Sequence, residues 1–270
     1  MANVGKEAAL ELEQATKSIL KEPSQMKKMC STPALIWVGV LFVFSFVLLS
    51  YPKRWAFILW AILAWGLCVM IHESGHAAMA KIAGHSHDSY LSMNFVKYHD
   101  HFSNFINPIL LMLIPGWGVL GGPDYIGETS LIASGRPKRL LIVIGGILAL
   151  FPVMIICVVG SWIEHNYSLG YGFALIAYLI VFSFLVNLLP LPYCDLFYFV
   201  YPELPDKFRA YVVLVLTHKY YKFAAFLLTL LVVYIFSTVF HDIAIILLRC
   251  MLVSKNSMNA GLSQLFFVEY

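Results

Sequence analysis

Five apolar runs constrain this chain more than any other feature: residues 33–51, 55–83, 140–162, 172–191 and 223–252. A helix that crosses a lipid bilayer needs about 20 apolar residues, and each run is long enough. Hydrocarbon offers no water to satisfy backbone N–H and C=O groups, so spanning segments must be helices or closed barrels. Long continuous runs, rather than alternating ones, select helices. Composition agrees, with 60% hydrophobic and 12% charged residues. A soluble domain carries roughly a quarter charged residues. The sequence therefore predicts an all-α fold, a polytopic transmembrane helix bundle with about five or six membrane spans at home in a lipid bilayer.

A sixth run, residues 105–122, is broken by Pro108, Pro115 and four glycines. Backbone freed by such residues must find partners inside the protein. This segment is read as a re-entrant, hairpin-like excursion rather than a clean span. Residues 1–32 read as a cytosolic N-terminal tail, partly helical around 8–21, residues 33–252 as the membrane-embedded domain, and residues 253–270 as a C-terminal tail. The first apolar run starts too far from the N-terminus for a cleaved signal peptide. The five cysteines are scattered, with no CxxC pair, and predict neither a disulfide framework nor a structural zinc knuckle. A net charge of +3 gives no reason to expect a nucleic-acid partner. Nothing in the sequence fixes an oligomeric state.

Lys and Arg set the orientation, because cytoplasmic loops are enriched in them. With five spans and a re-entrant 105–122, one side holds the N-terminal tail, residues 84–139, residues 192–222 and Lys81 at a helix end. That side carries fourteen of the 18 Lys and Arg residues; Lys53, Arg54, Arg249 and Lys255 make up the other four. The first side is the cytoplasmic one.

Inside the second run stands His72-Glu73-Ser74-Gly75-His76. Four-residue spacing on a helix stacks both imidazoles on one face, where both can reach one Zn²⁺. Glu73, beside the first histidine, can approach a metal-bound water as general base. The preceding residues 55–71 contain no charged side chain. Ionisable groups at membrane depth are costly and mark function by default. The plainer alternative is a packed histidine pair with a hydrogen-bonded glutamate, which leaves three polar groups in metalloprotease spacing unexplained.

A catalytic zinc takes three protein ligands and keeps one open position. Candidates for the third lie in Asn187-Leu188-Leu189-Pro190-Leu191-Pro192-Tyr193-Cys194-Asp195. Asp195 follows the fourth run and falls at the same cytoplasmic end as His72 and His76. Cys194 is an alternative ligand, since thiolate also suits zinc. Asp195 could instead cap a short helix over 196–201.

An HExxH in one membrane helix followed far downstream by N-x-x-P-x-P-x-x-D resembles the site-2 protease family of intramembrane zinc metalloproteases. Its second motif reads approximately NLLPIPPLDG, against NLLPLPYCDL here. The resemblance implies His72, His76 and Asp195 as zinc ligands, Glu73 as the catalytic base, and Asn187 as a substrate-positioning residue. Residues 90–98, YLSMNFVKY, are similar to a YLTLNPLKY-like segment of one compact branch. Residues 138–150, KRLLIVIGGILAL, stand where the family often has RxLIVLAGPLAN. The chain departs from the pattern at Leu196, where the family has Gly, at Cys194, where it has Leu, and at Ile147 and Leu150, which replace Pro and Asn. The implied activity is hydrolysis of peptide bonds in or near transmembrane segments of membrane-protein substrates. A membrane metal transporter, or an inactive relative that binds membrane clients, would use the same residues differently.

Two HxH pairs, His85 with His87 and His99 with His101, read as polar loop residues or as a second metal or pH-responsive site. The loop at 116–122 could lie beside an extended substrate strand. Trp55 suits a membrane interface, whereas Trp60 and Trp65 are expected to pack or to face lipid. His241 and Asp242 in the last run read as a satisfied pair near the far interface or as part of an ion pathway.

Overall fold

The computed structural model describes residues 32–51, 53–84, 135–163, 168–217 and 219–266. The re-entrant segment, the four loop histidines and the N-terminal tail up to residue 31 lie outside the described residues. Every described element is helical. Five long helices come first to view: α1 (Thr32–Ser50), α2 (Arg54–Ile82), α3 (Arg136–Ile163), α4 (Ser168–Asn187) and α7 (Lys219–Cys250). Shorter ones are α5 (Asp195–Val200), α6 (Asp206–Thr217) and α8 (Lys255–Phe266), with a 3-10 turn at Tyr201–Glu203. Four helical stretches are long and apolar enough to cross a membrane: Arg54–Ile82, Arg136–Trp162, Ser168–Asn187 and Phe223–Cys250. In α1 the apolar stretch among the described residues is shorter, Ile36–Leu48. The all-α fold and a span count close to the expected one both follow.

α2, α3 and α4 form the centre, and α4 is the most enclosed of the spans. α1 lies against α2, and α7 leans on α4 with most of its surface outward. Large apolar side chains on α7, among them Leu228, Tyr234 and Ile235, are exposed. Exposed apolar surface on this scale suits lipid rather than water. In lipid, helix association depends on close packing, and small residues at the interface permit it. The α2–α3 contact shows this directly. A Cβ on Gly75 would sit 2.3 Å from the Gly145 carbonyl oxygen, and one on Gly145 would sit 2.6 Å from the Gly75 oxygen. Only glycine at both positions lets the two backbones touch, immediately beside the HExxH motif.

Tryptophans fasten α1 to α2. Trp37 Nε1 donates to the Leu63 carbonyl at 2.8 Å, and Trp60 Nε1 donates to Ser45 Oγ at 2.9 Å. Trp60 and Trp65 are buried, so both pack inside the protein, while Trp55 is exposed as an interfacial residue would be.

Residues 255–266, read from sequence as part of a C-terminal tail, form a helix packed into the bundle against α4 and α2. Met258, Leu262 and Leu265 are buried. Gly261 lies so close to α4 that a Cβ would stand 2.6 Å from the Tyr171 carbonyl oxygen. Arg54 donates to the Ser263 and Gln264 carbonyls at 2.9 Å each, which occupies acceptors left over at the end of α8.

Candidate metal centre

The HExxH residues lie within the last three turns of α2. His76 and Glu73 are buried, and His72 is partly so. Helical spacing brings the imidazoles together, with ring centroids 4.6 Å apart and Nε2 atoms 3.0 Å apart. The tautomer of His76 follows from its second contact. Nδ1 lies 2.8 Å from the Ile142 carbonyl oxygen, which can only accept, so Nδ1 carries the hydrogen. Nε2 of a neutral His76 is then a bare lone pair. A carbonyl holding the far nitrogen is the usual way a ligating histidine is oriented.

Asp195 arrives from across the bundle. α4 ends at Asn187, and the turn through 188–194 leads to Asp195 as the first residue of α5. Tyr193 in that turn has φ +70°, the left-handed region that a bulky residue enters at a cost of about 1–3 kcal/mol. α7 braces this conformation. Thr229 Oγ1 shares its hydrogen between the Pro192 carbonyl at 3.1 Å and the Ala225 carbonyl of its own helix at 3.0 Å, and the Phe226 ring meets Tyr193 edge to face at 5.6 Å. The N-cap of α5 is Cys194, so Asp195 is not a capping residue. Leu196, where the resembled family has glycine, has ordinary helical backbone, and no positive φ asks for glycine there.

The three side chains meet. Asp195 Oδ2 lies 3.3 Å from His72 Nε2, and Oδ1 lies 3.3 Å from His76 Nε2. Zinc with tetrahedral ligands at about 2.0–2.1 Å spaces neighbouring ligand atoms about 3.3 Å apart. The observed separations of 3.0–3.3 Å match that spacing. With Nε2 of both histidines bare, their lone pairs and the Asp195 carboxylate converge on one point, where a cation would offset their mutual repulsion. His72, His76 and Asp195 are the one group among the described residues whose ligand atoms converge in this way, all within 4.8 Å of one another. Cys194, though adjacent, is not part of it. The donor set of two imidazoles and one carboxylate, short of four, suits a zinc site that keeps a position open.

The two remaining candidates are both buried. Asn187, the last residue of α4, is buried, and its Oδ1 has no hydrogen-bond partner among the described residues. Glu73 is 5% exposed, one residue from His72. All five residues named from the sequence thus lie in the structure's described part, and three of them share one point.

The structure adds residues that the sequence did not single out. Gly146 of α3 faces the imidazoles. A Cβ there would stand 2.5 Å from His72 Cε1 and 2.6 Å from His76 Nε2. It lies in the IGGILAL stretch, but nothing local says which helix it faces. Arg136 and Arg139, at the start of α3, both bind Glu203, just beyond α5. Arg136 does so at 2.6 Å, and Arg139 pairs with the other carboxylate oxygen. Arg139 is buried. Hydrogen bonding from Arg136 holds the Glu203 carboxyl below the usual carboxylate range. This clamp ties the helix that carries Gly146 to the segment that presents Asp195.

Comparison with known proteins points to a metalloprotease. No protein-family model matches the chain, and no solved structure does. Among curated proteins, the chain is 29% identical over 157 residues to the "Putative zinc metalloprotease Rip2" of Mycolicibacterium smegmatis. The chain resembles the site-2 protease family. The match covers 55% of this chain, which spans 59% of the length of that relative. Together with four helices apolar enough to span, it makes this a membrane protein similar to a zinc metalloprotease.

Proposed function

We infer that this chain is a multi-pass intramembrane zinc metalloprotease that hydrolyses peptide bonds in or near the transmembrane segments of other membrane proteins. One observation carries the reading: two imidazole nitrogens and a buried carboxylate stand at zinc-ligand spacing between helices apolar enough to span a bilayer. His72, His76 and Asp195 would hold the metal. Bound there, zinc would supply a Lewis acid and lower the pKa of a ligated water to about 7. Glu73 would take the proton from the attacking water and return it to the leaving amine. Asn187 would hold the substrate backbone through its side-chain amide, which has an acceptor to offer. A helical substrate has its carbonyls engaged in hydrogen bonds, so it must unwind locally before its backbone can reach Asn187. The Lys and Arg distribution supports a site near the cytoplasmic face.

Metal transport would require successive ligand sets along a path. Among the described residues a single three-residue set occurs. The test is cleavage of a transmembrane peptide by the purified chain reconstituted in vesicles. Glu73→Gln should abolish cleavage while one zinc per chain stays bound. Full cleavage by that variant would remove Glu73 from the mechanism.

A further inference from the structure

His241 and Asp242 interrupt the apolar surface of α7 beside a cleft that Lys255 and Asn259 of α8 also line. His241 Nδ1 is 2.9 Å from the Tyr178 hydroxyl of α4, and the two rings meet at 66°. Asp242, an exposed residue, lines an open cleft of about 420 Å³ to which α7 and α8 both contribute. Its walls are His241, Asp242, Ile245, Ile246, Lys255 and Asn259. Asp242 and Lys255 thus face one cavity from opposite helices with opposite charges. Among the described residues, neither makes an ion pair within 4.0 Å with the other or with any third group. Opposite charges that share a cavity without touching suit a ligand that carries both signs in a fixed order.

The position says what kind of ligand. The span Phe223–Cys250 is 28 residues long, about 42 Å of helix against roughly 30 Å of hydrocarbon. The last two turns, from Asp242 to Cys250, cover about 12 Å and reach the head-group region. The cavity lies towards the end of α7 opposite Lys219, away from the turn at 188–194 that Phe226 and Thr229 brace. Its rim carries apolar surface: Ile246, which lines it, is exposed. Acyl chains can lie along that rim while a head group enters.

We propose that the α7–α8 cavity binds the head group of a phosphatidylethanolamine-type lipid from the leaflet opposite the metal centre. Lys255 takes the phosphate, with Asn259 as a hydrogen-bonding neighbour. Asp242 takes the primary ammonium, and its carboxylate accepts the ammonium's hydrogen bonds. His241, anchored by Tyr178, forms the cavity's inner wall. An anionic lipid without an amine satisfies only Lys255 and meets Asp242 as a like charge, so selectivity against it resides in Asp242.

Native mass spectrometry of the full chain in detergent micelles tests this. The probes are phosphatidylethanolamine, phosphatidylglycerol of the same acyl chains, and soluble phosphoethanolamine. The expected result is one saturable phosphatidylethanolamine with about tenfold preference over phosphatidylglycerol, the scale of one charge-assisted hydrogen bond. Asp242→Asn should erase the preference, and Lys255→Gln should weaken both lipids. Ile246→Trp, which fills the cavity without removing a charge, should also abolish the bound lipid and serves if Asp242→Asn does not fold. Arg209→Gln, a distant charge change, should alter nothing. Equal affinity for the two lipids, or a preference that survives Asp242→Asn or Ile246→Trp, overturns the proposal. Displacement of the lipid by soluble phosphoethanolamine at equal concentration overturns the assignment to a membrane lipid.

Discussion

Gly146→Ala adds one methyl group to α3 and should disable the metal centre. The added carbon would lie 2.5 Å from His72 Cε1, 2.6 Å from His76 Nε2 and 2.7 Å from His72 Nδ1. Ordinary carbon contacts begin at about 3.5 Å, so the imidazoles or α3 must retreat by about 1 Å. Neither can do so cheaply. A shift of His76 strains its bond to Ile142 of α3, and a retreat of α3 gives up its close backbone contact with α2 at Gly75 and Gly145. Alanine is favoured over glycine in a helix by about 0.5–1 kcal/mol. Overpacking costs about 1–3 kcal/mol, so overpacking wins. A metal site tolerates ligand displacements of only about 0.2 Å. Disturbing the groups that orient ligands costs about 10–100-fold in metal affinity. Zinc affinity of Gly146→Ala should fall by at least the lower of these factors. The assay is chelator competition on purified protein, with helix content checked by circular dichroism. Gly39→Ala is the control, because nothing lies within 4 Å of its Cβ. Wild-type zinc affinity in Gly146→Ala would refute the packing argument.

Three other outcomes follow from the same geometry. Cys194→Ala should keep its zinc, because the thiol stands outside the converging set; metal analysis of the purified variant checks this. Glu73→Gln should lower peptide hydrolysis by about 10²–10⁴-fold, the range of lost general acid–base catalysis, with zinc content unchanged. Glu203 has a carboxyl depressed by its bond to Arg136, so its contribution is present above the ordinary glutamate value near 4.3 and fades as pH falls through the lower folded value. The thermal midpoint of wild type should therefore exceed that of Glu203→Gln at pH 7, and the gap should close below about pH 4; a constant gap across that range would show that the charge is irrelevant.

Much of this was legible in the chain. The apolar runs specify helices because hydrocarbon leaves the backbone no alternative. The four-residue spacing of His72 and His76 fixes their common face on any helix. Asp195 was legible as a candidate through the motif it closes, but its choice over Cys194 required the turn at 188–194, whose left-handed Tyr193 has no sequence signature. Gly146 was hidden because a glycine in an apolar helix does not say what it faces. Arg139 was counted only as a cytoplasmic charge, since its partner Glu203 lies 64 residues away. For α8 the signal existed: Met258, Leu262 and Leu265 follow the i, i+4, i+7 pattern of a buried stripe. Its modest hydrophobicity beside the long spans obscured that pattern.

The zinc-to-protein ratio of the purified chain, compared with Asp195→Ala, tests the account at its centre. One zinc per wild-type chain and close to none in Asp195→Ala is the predicted result. A wild-type chain that binds no zinc, or an Asp195→Ala chain that holds it as tightly as wild type, would contradict the three-ligand site on which the proposed hydrolysis depends.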